Sequence, residues 1–490
     1  MKSMKILAVA CTLAVSGMGL ASATVYHVSG STAFRVADVT AEANYLVANF
    51  TTVTGAYSGA SLTGANTSVI TGVSATSTVT FENAFNGSIQ GDESVSAVAV
   101  PGNAGQVVFP TATGVTLTAV TKGSSTAPAS GGNSVTFSNT ETTYADIAFS
   151  DVSFATAKPV IKLATSATAS AQGGSVVGVV PFVFVANATS DITDFGSTVS
   201  TSTIVSTSTF TYATATVAVN VTHQNFADLW SNGVLNTNSS SQYDSGANPT
   251  VFTGSVTDSS YTIFAAGRDI DSGSRATALA ETGYPLKGNG VVAVTQPVSQ
   301  FFPLDASNNV VGNVGTGTIE SFESVPAETV DGISLAAGNG GYNSGGNLAK
   351  ALSVTIDKTS NPQTVMIGYL GASDAYTALT ASGTGRHPAI LLGYEGTSFN
   401  PAGSSLTNGY AVQADINKVY AGSYTFWSYE HVYYNSNNVT GGLNDSANPS
   451  SIVSSLVSQL LTDQVDQLSS AGVEYADMIA ARNDDGLQVQ

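Results

Sequence analysis

The sequence predicts an α/β fold, and three observations carry that reading. The chain is rich in Ser, Thr, Val, Ala and Gly, with only 10% charged residues, a composition that favours strands over exposed helices. A unit recurs along it: a short apolar strand, a small polar Gly/Ser/Thr turn, then a helix with periodic apolar positions. The segment 174–188, GSVVGVVPFVFVANA, is a continuous apolar run, as expected of a strand buried on both faces.

The first 23 residues, MKSMKILAVACTLAVSGMGLASA, have a basic start (Lys2, Lys5), an apolar stretch and an Ala21-Ser22-Ala23 end. They predict an export signal, with a mature chain from Thr24. Cys11, the single cysteine, lies inside it, so no disulfide, metal thiolate or cysteine nucleophile is expected in the exported product. Residues 24–34 predict a strand ending in Gly30-Ser31-Thr32. Val36, Val39, Ala43, Leu46, Val47 and Phe50 then keep helical spacing. Residues 51–140 alternate Thr, Ser and Val and predict strands and hairpins, with a small polar turn at 86–91. The segment 144–154 predicts another strand into a turn. Residues 190–220 predict an inserted hairpin and 225–233 a helix. The segment 261–284 predicts strand, turn and helix, and 288–332 an irregular insertion. A helix over 343–353 and a strand and helix over 363–379 follow. An aromatic strand is expected at 422–434, its rings serving the core. The last helix, 448–468, has Asn448 as cap, Pro449 in its first turn, and Val453, Leu456, Val457, Leu460 and Leu461 on one face.

A net charge of −19 offers no basic footprint for nucleic acid or an anionic membrane. The four His (27, 223, 387, 431) have no Cys partners and form no Ser/His/Asp pattern, so neither a transition-metal site, a cofactor nor catalysis is expected. Five Arg (35, 268, 275, 386, 482) serve the whole chain, and two sit in GRDIDSGSRAT, 267–277. Backbone N–H groups and hydroxyls at a helix start suit an anion, and an arginine adds a planar donor fork.

Three motifs occur in order: Gly30-Ser31-Thr32, Asp146-Ile147-Ala148-Phe149-Ser150-Asp151, and Arg268 to Ser274. On these the chain resembles the periplasmic phosphate-binding proteins of ABC importers, as an enlarged member. The resemblance implies a two-lobed type II periplasmic-binding-protein fold with β-rich insertions. Lobe 1 would comprise 24–186 and 422–490, and lobe 2 would comprise 187–421. It implies an exported, periplasmic, non-enzymatic monomer that closes on phosphate and delivers it to a membrane ABC permease. The implied phosphate contacts are Ser31, Thr32, Ala33, Ser88, Asp151, Arg268, Ser272, Gly273 and Ser274. Asp151 would accept a hydrogen bond from the proton that phosphate keeps and sulfate lacks. Where the family has Asp two residues after the arginine, this chain has Ile270, between Asp269 and Asp271. The alternatives are a secreted surface or matrix protein that kept the scaffold without transport, or a receptor for another tetrahedral oxyanion.

Overall fold

The computed structural model describes residues 22–96, 105–124, 127–157, 171–187, 220–236, 262–284, 298–315, 317–330, 333–357, 359–361, 364–402, 413–435, 449–463 and 472–482. Residues 1–21 of the expected export signal and most of the expected hairpin at 190–220 lie outside them, as does Asn448, while Ser22 and Ala23 belong to the first strand.

The principal strands are β1 (Ser22–Gly30), β2 (Thr52–Ser58), β3 (Thr67–Val73), β4 (Ser77–Ala84), β5 (Ile147–Ser150), β6 (Ala171–Asn187), β7 (Thr262–Ala265), β8 (Thr364–Gly371) and β9 (Trp427–Asn435). They join one mixed sheet in the order β7-β8-β6-β9-β5-β1-β4-β3-β2, extended by Val234–Asn236 at one end and by Thr118–Thr121 and Ser130–Gly131 at the other. The helices that bear on the site are α1 (Arg35–Asn49), α2 (Ser88–Ser96), α3 (His223–Asn232), α4 (Gly273–Thr282), α5 (Gly345–Ala351), α6 (Ala372–Leu379) and α7 (Pro449–Thr462). Among the described residues no helix is long and apolar enough to cross a membrane.

β6 is the apolar run of the sequence, and Val177 to Asn187 are buried throughout. Residues 171–181 pair with β9, and residues 182–187 pair with β8. Pro181, which has no N–H to give, ends the β9 ladder and stands where the strand changes neighbours. Three parallel strand pairs in this sheet core, β1 with β4, β1 with β5, and β7 with β8, end beside a turn that opens a helix. The aromatic strand is core, as expected: Trp427 and Phe426 are fully buried, and Phe426 stacks on Phe184 of β6 at 4.8 Å. α7 lies on α1, where Asn44 donates to Asp463 at 3.2 Å.

The sequence reading needs correction in three places. The turn expected over 86–91 stops at Gly87, and Ser88 opens a helix. That helix, SIQGDESVS, is short and Ser-rich with a Gly inside, so local propensity disfavours it. Burial of nearly all its residues holds it, with Gly91 pressed on the Gly30 backbone. The irregular insertion 288–332 contains a hairpin, Phe301–Leu304 with Ser321–Ser324, and Glu328–Val330 pairs with Ile333–Leu335. On α7, Leu461 is exposed, and Ile452 takes a place in the buried face instead. The mixed α/β architecture is compatible with an α/β binding-protein fold.

Candidate functional site

Gly30 ends β1 at a φ of 122°, where a Cβ would run into the carbonyl of Phe149. Only glycine fits, and the chain turns at once into α1. Ser31 N–H donates to Phe149 O at 2.7 Å, and Ser31 Oγ accepts from Phe34 N–H at 3.3 Å. Its hydroxyl hydrogen is thereby left to serve another acceptor. The Thr32 carbonyl accepts from Arg35 Nη1 at 2.6 Å. Ala33 packs against Gly371, the residue before α6.

The neighbouring turns join this one in a closed circle. Gly87 N–H donates to Gly30 O at 3.0 Å and sets α2 beside α1. Ile89 N–H donates to Asp271 O at 3.1 Å and sets α4 beside α2. Ser88 Oγ donates to Asp151 Oδ1, and Asp151 N–H returns a bond to Ser88 Oγ at 3.2 Å. Both lie against Gly273, where a Cβ would overlap Asp151 Oδ1. Gly345 closes the circle: a Cβ there would overlap Asp374 Oδ2 and stand 3.4 Å from Arg268 Nη1. Ser31, Thr32, Ala33, Ser88, Asp151, Arg268, Ser272, Gly273 and Ser274 are all buried in this circle.

Arg268 is 2% exposed. Its Nε donates to Tyr342 O at 2.9 Å and its Nη2 to Asn343 O at 3.0 Å. Nη1 is turned toward Gly345, where a Cβ would stand 3.4 Å from it. Ser272 caps α4 by accepting from Arg275 N–H at 3.4 Å, so its hydroxyl hydrogen also stays available, whereas that of Ser88 is committed to Asp151. Arg275 is fully buried and donates to Asn339 O at 2.7 Å and Oδ1 at 2.6 Å.

Two arginines act on one carboxyl group here. Burial raises Asp374, while the charges of Arg35 and Arg268 lower it. Burial lowers the Arg35 guanidinium, Asp374 raises it, and Arg268 lowers it by like-charge repulsion. Asp269 is pushed up to about 6 by burial, against the pull of Arg268 and Arg275. Asp374 and Arg35 were not among the ligand contacts read from sequence. Asp374 had a signal, since Gly371-Ala372-Ser373-Asp374 repeats the small turn after a strand. The structure also brings His27, Glu82 and Glu141 together, a cluster that the separation of 114 residues between His27 and Glu141 hides in the sequence.

No protein-family model and no curated protein matches the sequence. Among solved structures, the crystal structure of an ABC-type phosphate transport receptor from Vibrio cholerae is similar over 65% of this chain and 78% of that one, with 10% identity and a TM-score of 0.28. A likeness at that level is too distant to say what this chain binds.

Proposed function

We propose that the chain is an exported, non-catalytic binding protein for a small tetrahedral oxyanion, phosphate first, which it passes to a membrane permease. One observation carries this reading: the starts of α1, α2, α4 and α6 converge in one closed circle, with Arg35 and Arg268 beside it. Helix starts and guanidinium groups in a dry place favour an anion, and screening by solvent weakens the opposing net charge. Asp151 accepts a hydrogen bond from the protonated phosphate oxygen, and two lobes, 24–186 with 422–490 and 187–421, close over the ligand. The test is calorimetry of ligand-stripped protein with phosphate and then sulfate. Phosphate binding that sulfate does not reproduce, and that Arg268→Ala and Asp151→Asn each weaken at least ~10-fold, supports the reading.

A second reading has its own observation. The Arg268 fork is engaged by two backbone carbonyls, and Ser88 by Asp151, which suits a scaffold kept without its ligand. In that case no oxyanion gives heat or a thermal shift, and the function lies on the outer surface.

A further inference from the structure

A second group of titratable side chains lies away from this circle. His27 is three residues before Gly30, about 10 Å back along β1. Parallel register sets it beside Glu82 of β4. The strand Thr140–Thr143, paired with Val107–Pro110, brings Glu141 and Phe109 to the same place. His27 Nε2 donates to Glu141 Oε1 at 2.5 Å and stands 3.7 Å from Glu82 Oε2, and these three atoms all fall within 4.8 Å of one another. The Phe109 ring, 4.9 Å from the imidazole, walls one side.

Two independent details point to a bound cation. The first is the orientation of the ring. Nδ1 donates to Asp146 Oδ2 at 3.1 Å, the same oxygen accepts from His27 N–H at 2.9 Å, and Asp146 N–H donates to His27 O at 2.9 Å. A carboxylate on one ring nitrogen fixes the ring and aims the other nitrogen, the arrangement that metal-binding histidines use. The second is Glu82, which is only 4% exposed. Its Oε1 accepts from Ala112 N–H at 3.3 Å, while its Oε2 accepts no hydrogen bond and faces the imidazole. A buried carboxylate oxygen without a donor is costly, and a cation relieves it. Glu141, with its side chain 34% exposed, leaves a path from solvent.

We propose that His27 Nε2, Glu82 Oε2 and Glu141 Oε1 bind a divalent transition cation of the zinc class, with Asp146 as the positioning residue. One imidazole and two carboxylates make a borderline nitrogen and oxygen donor set and leave a position for water. The ion joins the Val107–Pro110 and Thr140–Thr143 strand pair to β1 and β4, and its binding is independent of any anion. The proposal departs from the expectation of no transition-metal site, because strand register, and not sequence spacing, brings these groups together.

The test loads chelator-treated protein with zinc, removes excess by gel filtration, and measures retained metal and its X-ray absorption. The expected result is about one zinc per chain, with an imidazole and oxygen shell at about 2.0–2.2 Å. Retention falls at least ~10-fold in His27→Ala and Glu82→Gln, and is unchanged in His431→Ala. Asp146→Asn keeps the ion but weakens it ~10-fold or more, the range seen when such orienting groups are removed. No retained zinc, equal retention in His27→Ala, or a wild-type shell without imidazole overturns the proposal. The wild-type spectrum decides the matter if a variant fails to fold.

Discussion

Gly273 has no side chain because Asp151 occupies the space where one would stand. Gly273→Ala is therefore expected to cost about 1–3 kcal/mol through overpacking, read as a lowered Tm, and, if the proposed function holds, to remove phosphate binding with it. An unchanged melting curve would mean that Asp151 does not sit against the start of α4. Arg268 makes a different prediction. Lysine keeps the charge but cannot reach both carbonyls of Tyr342 and Asn343 with a planar fork. Arg268→Lys is expected to lose about 1–3 kcal/mol in urea unfolding, because a buried acceptor goes unpaired. Equal stability would show that the guanidinium does not hold that loop. At this scale the sequence revealed which residues gather at the turns, since Gly, Ser and Arg stand out locally. It concealed which acceptors they use: Asn343 lies 75 residues from the arginine it receives.

Helix α1 was legible in extent and only partly in orientation. The expected span of 35–50 became Arg35–Asn49, yet Val36 and Val47 are half-buried while Asp38 and Glu42 are fully buried. Apolar spacing assumes one solvent face, and α1 is covered by the sheet on one side and by α7 on another. Glu42 accepts from Asn83 Nδ2 at 2.7 Å, but burial outweighs that bond and pushes its pKa from 4.5 up to about 8. Asp38 rises too, by burial and then by the Glu42 charge. The folded chain thus holds these protons more tightly than the unfolded one. The resulting stabilisation is complete below pH 4.5 and is lost as pH rises toward 8. Glu42→Gln is expected to match wild type near pH 4 and to melt higher at pH 8.5, a difference that paired thermal scans would detect. Parallel scans at both pH values would place the effect elsewhere. α2 escaped the sequence reading because tertiary burial, and not propensity, makes it a helix.

For the molecule as a whole, the strand order and the crossing at β6 define two sets of strands that meet along β6 and β9. If the proposed lobes hinge there, phosphate is expected to reduce the radius of gyration in X-ray scattering, and Arg268→Ala to abolish the change. An identical profile with and without phosphate would rule out closure on the ligand. The path of the chain across the sheet was legible from the apolar run at 174–188, while the order of the strands was not, because pairing partners lie far apart in sequence. Between 171 and 181 the ladder of β6 shifts register twice, at Gly173/Ser175 and Val176/Gly178, so eleven residues run beside only nine of β9, 427–435. Two ribbons of unequal length fastened side by side must bow, as a bimetallic strip does when one layer outgrows the other. Those surplus residues are in effect a gauge block that sets the angle between the two sets of strands, and shortening it would change the spacing of the turns without touching any one of them.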